Sequence, residues 1–292
     1  MQSTPASWWN ARIYTMTESF HREIIGAERD ALIVSILDRI DNDQQRIASF
    51  GRAAAWQKGW QEALDRFKAK PCEEALVPAF IRPGQPLRVD RKFVMPKEPD
   101  AELLYCRLLQ RGFLAPLFKD CSSIAEFGCG TGFNLAALAR TYPKKDFFGY
   151  DFCSEAVQMT ALAGELVGKD FTTARFDMAS LEPVKYTLGP GAGVFTFGAL
   201  EQLGSNNFKA FIDYLIEQRP KVVAHIEPIV ELMDPTNLVD ALGIRFHRRR
   251  GYTEGFLPYL QSHPGVKVEH VERSHFGSLM FESYGRLVWR VR

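Results

Sequence analysis

The chain has 292 residues, enough for one large domain or a domain with an appendage, and 36 Lys and Arg against 35 Asp and Glu leave a net charge of +1. That balance excludes the broad positive field of a non-specific nucleic-acid binder, and 46% hydrophobic residues exclude wholesale disorder. No apolar run approaches the roughly 20 residues that span a bilayer, and Met1-Gln2-Ser3-Thr4-Pro5 has no secretory pattern. Five cysteines (Cys72, Cys106, Cys121, Cys129, Cys153) without C-x-x-C spacing argue against a disulfide framework or zinc ribbon. They fit reduced thiols, so a cytoplasmic location without membrane partners is expected.

The first segment reads as a helix. Thr17 to Phe20 opens a stripe of Phe20, Ile24, Ala27, Ala31, Val34 and Leu37 at a 3.6-residue period. After Asp41-Asn42-Asp43 a second helix is expected from about Gln44 to Lys70, burying Phe50, Trp56, Trp60, Leu64 and Phe67. Between Pro71 and Pro99 six prolines fall in a short span, against 16 in the whole chain. Proline fixes φ and removes a donor, so an irregular connection is expected, packed over the next domain through Leu76, Val77, Phe80, Ile81 and Phe93. A helix from Pro99 to Gln110 follows, with Leu103, Leu104 and Leu108 facing inward.

Beyond Cys121 strands and helices alternate. Strands are expected at Ile124–Phe127, Phe147–Tyr150, Thr173–Phe176, Gly193–Phe197 and Val222–Ile226, with helices at Asn134–Thr141, Glu155–Leu166 and Phe208–Gln218. That alternation implies a parallel sheet covered on both faces. Val266, Val268 and His270, and then Arg286–Val291, alternate with no helix between them, as an antiparallel pair would.

The segment Glu126-Phe127-Gly128-Cys129-Gly130-Thr131-Gly132-Phe133-Asn134 ends a strand, places three alternate glycines and opens a helix. Glycine tolerates left-handed backbone and lets a ligand approach closely. The dinucleotide spacing G-x-G-x-x-G would require glycine where Phe133 stands, which disfavours a nicotinamide oxidoreductase. With its acid two residues ahead, this motif resembles that of the class I S-adenosylmethionine (SAM) methyltransferases, over about Cys121 to Arg292.

The resemblance implies a doubly wound, mostly parallel seven-stranded α/β sheet closed by an antiparallel strand pair. It makes residues 99–292 the SAM-binding domain and leaves 1–98 as a mainly helical lid with a proline-rich connection. It also implies SAM as cofactor, S-adenosylhomocysteine (SAH) as product, and cofactor contacts from Glu126, Gly128, Gly130, Gly132 and Asn134. Asp151 would take the ribose hydroxyls, Asp177 the adenine amine, Phe152 and Met178 the ring faces, and Phe197 would border the methyl group.

In this family the acceptor side is built on loops after the fourth and fifth strands. The catalytic candidates are Glu227, His225 and Glu201, and the substrate-binding candidates are Glu201, Glu227, Glu231, Arg249, Tyr252 and His275. A satisfied core histidine and helix-capping carboxylates stand as alternatives for His225, Glu227 and Glu201. Trp8, Trp9 and Tyr14 are candidates to close over the pocket. The six histidines show no metal-ligand spacing, so no metal is expected.

The expected activity is methyl transfer to a small polar metabolite through a hydroxyl, amine or thioether, with a homodimer open and nucleic-acid partners not expected. A protein or nucleic-acid methyltransferase and a non-catalytic SAM-fold subunit are the alternatives. The base-amine motif is absent, because Phe197-Gly198-Ala199-Leu200 stands in its place.

Overall fold

The computed structural model describes residues 21–43, 53–182 and 188–292. Trp8, Trp9, Tyr14, Phe50 and most of the stretch from Gln44 to the second helix lie outside the described residues. A seven-stranded sheet runs through the molecule in the order β6-β5-β4-β7-β8-β11-β9. Its strands are β4 (Ser123–Phe127), β5 (Asp146–Asp151), β6 (Thr172–Arg175), β7 (Ala192–Phe197), β8 (Val222–Glu227), β9 (Val266–Glu272) and β11 (Gly285–Val291). The first five are parallel, whereas β11 lies antiparallel between β8 and β9. These bounds agree with the alternation in the sequence to within a residue or two; the central strands β7 and β8 are fully buried and carry nearly unbroken apolar runs.

Helices α4 (Phe133–Thr141), α5 (Ser154–Leu166) and α6 (Gly204–Gln218) cover the parallel strands. On one face Phe127 stacks on Tyr150 at 4.8 Å and meets Phe176 and Phe211 edge-on at 5.2 and 5.1 Å. Trp289 of β11 is fully buried in the same cluster. Chain order reverses between β4 and β7, so the crevice at their carboxyl ends is where an open α/β sheet binds ligands.

The N-terminal part differs from its sequence reading. It holds helices α1 (Gly26–Asp41) and α2 (Ala53–Ala69), but also strand β1 (His21–Glu23) and a hairpin of β2 (Leu87–Val89) and β3 (Lys92–Pro96). With β10 (Phe276–Gly277) these make a second, antiparallel sheet in the order β1-β3-β2-β10. The hairpin turns on Asp90-Arg91, both at positive φ (47° and 62°), the backbone of a two-residue primed turn. The usual Asn-Gly or Asp-Gly signal is missing, and the flanking prolines point to irregular chain.

Helix α3 (Ala101–Leu108) runs into a π-helical stretch, Leu109–Leu114, and a last turn, Ala115–Leu117. Its buried face is Glu102, Tyr105, Cys106 and Leu109, not the expected Leu103, Leu104 and Leu108; Leu104 is 52% exposed. Two elements that were not anticipated, α7 (Leu238–Arg250) and α8 (Phe256–Ser262), fill the connection between β8 and β9. Helix α7 is capped by Asn237, whose side chain accepts from the backbone N–H groups of Val239 and Asp240.

Candidate functional site

The carboxyl ends of β4 and β7 open into a cavity of about 340 Å³. The glycine loop forms its floor. Gly128, Gly130 and Gly132 have φ of 76°, 53° and 75°, a left-handed backbone that glycine alone adopts readily. Space is also limiting: a Cβ on Gly128 would lie 2.3 Å from the Ala199 Cβ, and one on Gly130 2.8 Å from the Trp60 ring. The tryptophan comes from α2, whose Trp56 stacks on Trp60 at 5.9 Å. The N-terminal part therefore lies directly over the loop.

Glu126 is buried at the loop's start. Its Oε1 accepts from Asn134 at 2.7 Å, and Asn134 accepts from Gln110 at 2.8 Å. Its Oε2 has no hydrogen-bond partner, and the residue lines the cavity. Burial, with the nearby Asp151 charge, pushes the carboxyl well above the usual range although the Asn134 bond opposes the shift. Gln110 was not singled out from the sequence. It sits in the π-helical stretch, a local irregularity often found where a helix re-aims a side chain.

Asp151 ends β5 and is buried. Its Oδ2 accepts from the Gly130 N–H at 3.1 Å and its Oδ1 from Cys153 at 3.0 Å. Burial pushes it up to about 6 against the pull of these backbone donors. Phe152 is exposed, and Asp177 accepts from the Ala179 N–H at 2.8 Å in a local turn, with Met178 beside Gly128. Gly128, Gly130, Asn134, Glu126 and Phe197 line the cavity, whereas Asp151, Phe152, Asp177 and Met178 stand at the neighbouring strand ends, off its wall. Gly132 begins α4 behind the loop. Cys129 is buried against Thr160, and burial raises its thiol well above its ordinary range, so it is an inert filler.

On the acceptor side the structure separates the candidates. His225 is fully buried in β8. The Trp289 indole N–H donates to its Nε2 at 3.0 Å, so Nδ1 carries the ring proton and donates to the Thr196 hydroxyl at 2.9 Å. Burial lowers it to about 3. It has no access to the cavity and no free nitrogen, which removes it as an acid or base. Glu227 is turned the same way along β8 and accepts from the backbone N–H groups of Ala199, Leu200 and Glu201 at 3.1 to 3.3 Å. It fixes the loop after β7 and does not line the cavity.

Glu201 does line it. Its Oε1 accepts from Gln202 at 2.7 Å, while its buried Oε2 has no partner. Burial, then the Glu227 charge, raise its carboxyl well above the usual range. Tyr252 is a wall of the cavity, packed edge-on to Phe246 at 6.0 Å. The other substrate candidates do not reach it. Glu231 accepts from the Gly255 N–H, Arg249 donates to the carbonyls of Asp41 and Asp43, and His275 lies 3.7 Å from Asp90 at an exposed turn. Sequence spacing groups these residues, but the fold turns Glu231 and Arg249 to loop and helix contacts and leaves His275 at the surface.

Much of the remaining wall was not anticipated. Arg39, Arg82, Phe80, Phe246, Arg250, Phe281 and Tyr284 come from α1, the proline-rich connection, α7 and the segment before β11. Arg88 holds that last segment. Fully buried, it donates to the carbonyls of Leu279 and Met280 at 2.9 Å and to that of Val239, and burial lowers it to about 10. Tyr284 donates to Glu102 at 2.9 Å, and Gln85 donates to the same carboxyl at 2.6 Å. Among the described residues no group of three or more His, Cys, Asp or Glu could hold a metal ion, and no helix is long and apolar enough to cross a membrane.

No protein-family model matches the chain, and no curated protein matches its sequence. Solved structures do resemble it. One is the magnesium protoporphyrin IX methyltransferase of Synechocystis PCC 6803 with bound SAM, at 14% identity over 65% of this chain and 80% of that one, TM-score 0.42. Another is an O-methyltransferase of neocarzinostatin biosynthesis with SAH and 1,4-dihydroxy-2-naphthoic acid, at 13% identity over 65% and 56%, TM-score 0.46. A third is a SAM-dependent methyltransferase from Aquifex aeolicus, at 14% identity over 63% and 93%, TM-score 0.41. Likeness this distant says nothing of substrate. The strand order is the stronger observation: β4 and β7 at the switch point, and β11 inserted antiparallel beside β8. The fold is a doubly wound, mostly parallel seven-stranded α/β sheet with an antiparallel strand beside β8, the architecture that the sequence resemblance implies.

Proposed function

We propose that this protein transfers a methyl group from SAM to a small-molecule acceptor held in the cavity at the ends of β4 and β7. The observation that carries the reading is the unpartnered, buried Oε2 of Glu126 beside a loop of three left-handed glycines at the topological switch point. The residues fit the cofactor. Glu126 offers an acceptor to its ammonium group, the glycines leave room for close backbone approach, and Asp151 retains lone pairs for ribose hydroxyls beyond its two backbone donors. When bound, SAM supplies an electrophilic methyl on a sulfonium.

The chain supplies position, dryness and a proton acceptor. Trp56 and Trp60 from α2, with Phe197, wall the loop from solvent. Glu201, not Glu227 or His225, faces the acceptor space and in its carboxylate form takes the proton of a hydroxyl or amine. Glu227, held by three backbone N–H groups, keeps the loop that carries Glu201 in place and raises its basicity.

Calorimetric titration with SAM tests this. The wild type binds and Asp151→Ala binds more weakly; absence of binding by both overturns the reading. Glu201→Gln keeps SAM binding within a few-fold but loses about 100-fold or more in transfer to a hydroxyl acceptor. The rate of the wild type rises with pH along an acid limb placed above the ordinary carboxylate range, since Glu201 must lose its proton to act.

A further inference from the structure

The cavity wall carries arginines that pair with neither of its carboxyls. Its ionisable side chains, apart from thiols and phenols, are Arg39, Arg82, Arg250, Glu126 and Glu201. Neither carboxyl pairs with an arginine of the wall: Glu126 accepts from Asn134 and Glu201 from Gln202. Arg250 is already committed: it pairs with Asp43 and stacks over Phe246 at 5.0 Å. The Arg39 and Arg82 guanidiniums have no hydrogen-bond or ion-pair partner among the described residues, although the Arg82 backbone N–H donates to Glu102, and both side chains are exposed on the cavity wall. Two unpaired guanidiniums on the wall of one cavity offer the donors that a carboxylate or phosphate accepts from. The same wall is strongly aromatic, with Trp56, Trp60, Phe80, Phe246, Phe281 and Tyr284.

We infer that the acceptor is a planar organic acid or phosphate, its anionic end gripped by Arg39 and Arg82 and its reacting hydroxyl reaching Glu201. This rests on the methyl-transfer reading and adds the substrate class. The acceptor oxygen forms its bond to the methyl carbon as that carbon's bond to sulfur breaks. The electron pair stays on sulfur, and the hydroxyl proton passes to the Glu201 carboxylate. An anion at the mouth also suits a site that receives a cationic sulfonium, since opposite charges attract strongly where water is excluded.

Quenching of Trp56 and Trp60 provides the assay. The wild type, with and without SAH, is titrated with 4-hydroxybenzoate, 4-hydroxyphenyl phosphate and the neutral 4-hydroxybenzamide. SAH binding is measured separately by calorimetry. At least one of the two anions binds about tenfold or more tighter than the amide, and the preference shrinks with added salt. The better anion identifies carboxylate or phosphate as the natural group. In the double variant Arg39→Gln/Arg82→Gln the preference falls to about twofold or less while SAH still binds. Equal binding of acid and amide, no binding by any of the three, or a preference that survives in the double variant overturns the inference. If SAH fails to bind, the methyl-transfer reading falls, but the anion preference is still read on the free protein.

Discussion

The interior of β8 carries a titration that can be measured. His225 is neutral and buried, lowered to about 3 from an ordinary 6.5. In the unfolded chain it gains a proton below about pH 6.5, whereas in the folded protein it does not until near pH 3. The unfolded state therefore binds more protons in that window, and stability is lost as pH falls, at up to about 1.4 kcal/mol per pH unit. Between pH 7 and pH 5 the loss from this one group comes to about 2 kcal/mol. His225→Gln removes the titration while its amide can still donate toward Thr196 and accept from Trp289. Urea unfolding of both proteins at several pH values is the assay. The variant is less stable than the wild type at pH 7, by about 1 to 2 kcal/mol for imperfect hydrogen bonds, and the gap narrows by about 2 kcal/mol on reaching pH 5. Parallel stability curves refute the buried, neutral assignment. Loss of transfer in a folded variant that still binds SAM would refute the removal of His225 from the chemistry.

Two substitutions probe the loop and the wall. Gly128→Ala must place a Cβ 2.3 Å from the Ala199 Cβ at φ 76°; SAM binding falls at least tenfold, and stability by about 2 kcal/mol or more, in calorimetry and thermal unfolding. Gly84→Ala, at φ 68° with nothing within 4 Å, is the control and costs only the backbone strain, about 1 kcal/mol; equal effects at both sites would show that the crowding at Gly128 is immaterial. Arg88→Leu strands the carbonyls of Val239, Leu279 and Met280, so the melting temperature drops by about 5 °C or more. A shift within a degree would mean that water replaces the guanidinium freely.

The sheet was legible because its information is local. The central parallel strands β4, β7 and β8 are short, largely apolar runs, and the three glycines of the loop mark a left-handed backbone that glycine adopts most cheaply. Of the site residues expected from the sequence, Glu126, Gly128, Gly130, Asn134, Phe197, Glu201 and Tyr252 line the cavity. The hairpin of β2 and β3 was not legible. Its primed turn is made by Asp90 and Arg91, and its partner β10 lies far along the chain, so no local pattern announces it.

Length and charge excluded a broad basic footprint, and the order of strands, helices and glycines implied the architecture. Those properties depend on backbone preference and apolar periodicity, which neighbouring residues encode. Which carboxylate lines the cavity did not follow from the sequence. Glu201 and Glu227 carry the same chemistry at adjacent strand ends, and spacing alone favoured Glu227 and His225. Only packing separated them: three backbone N–H groups claim Glu227, Trp289 and Thr196 claim His225, and Glu201 lines the cavity. The arginines of the wall likewise come from elements remote in sequence, and only the closing of α1 and the proline-rich connection over the sheet brings them to one mouth.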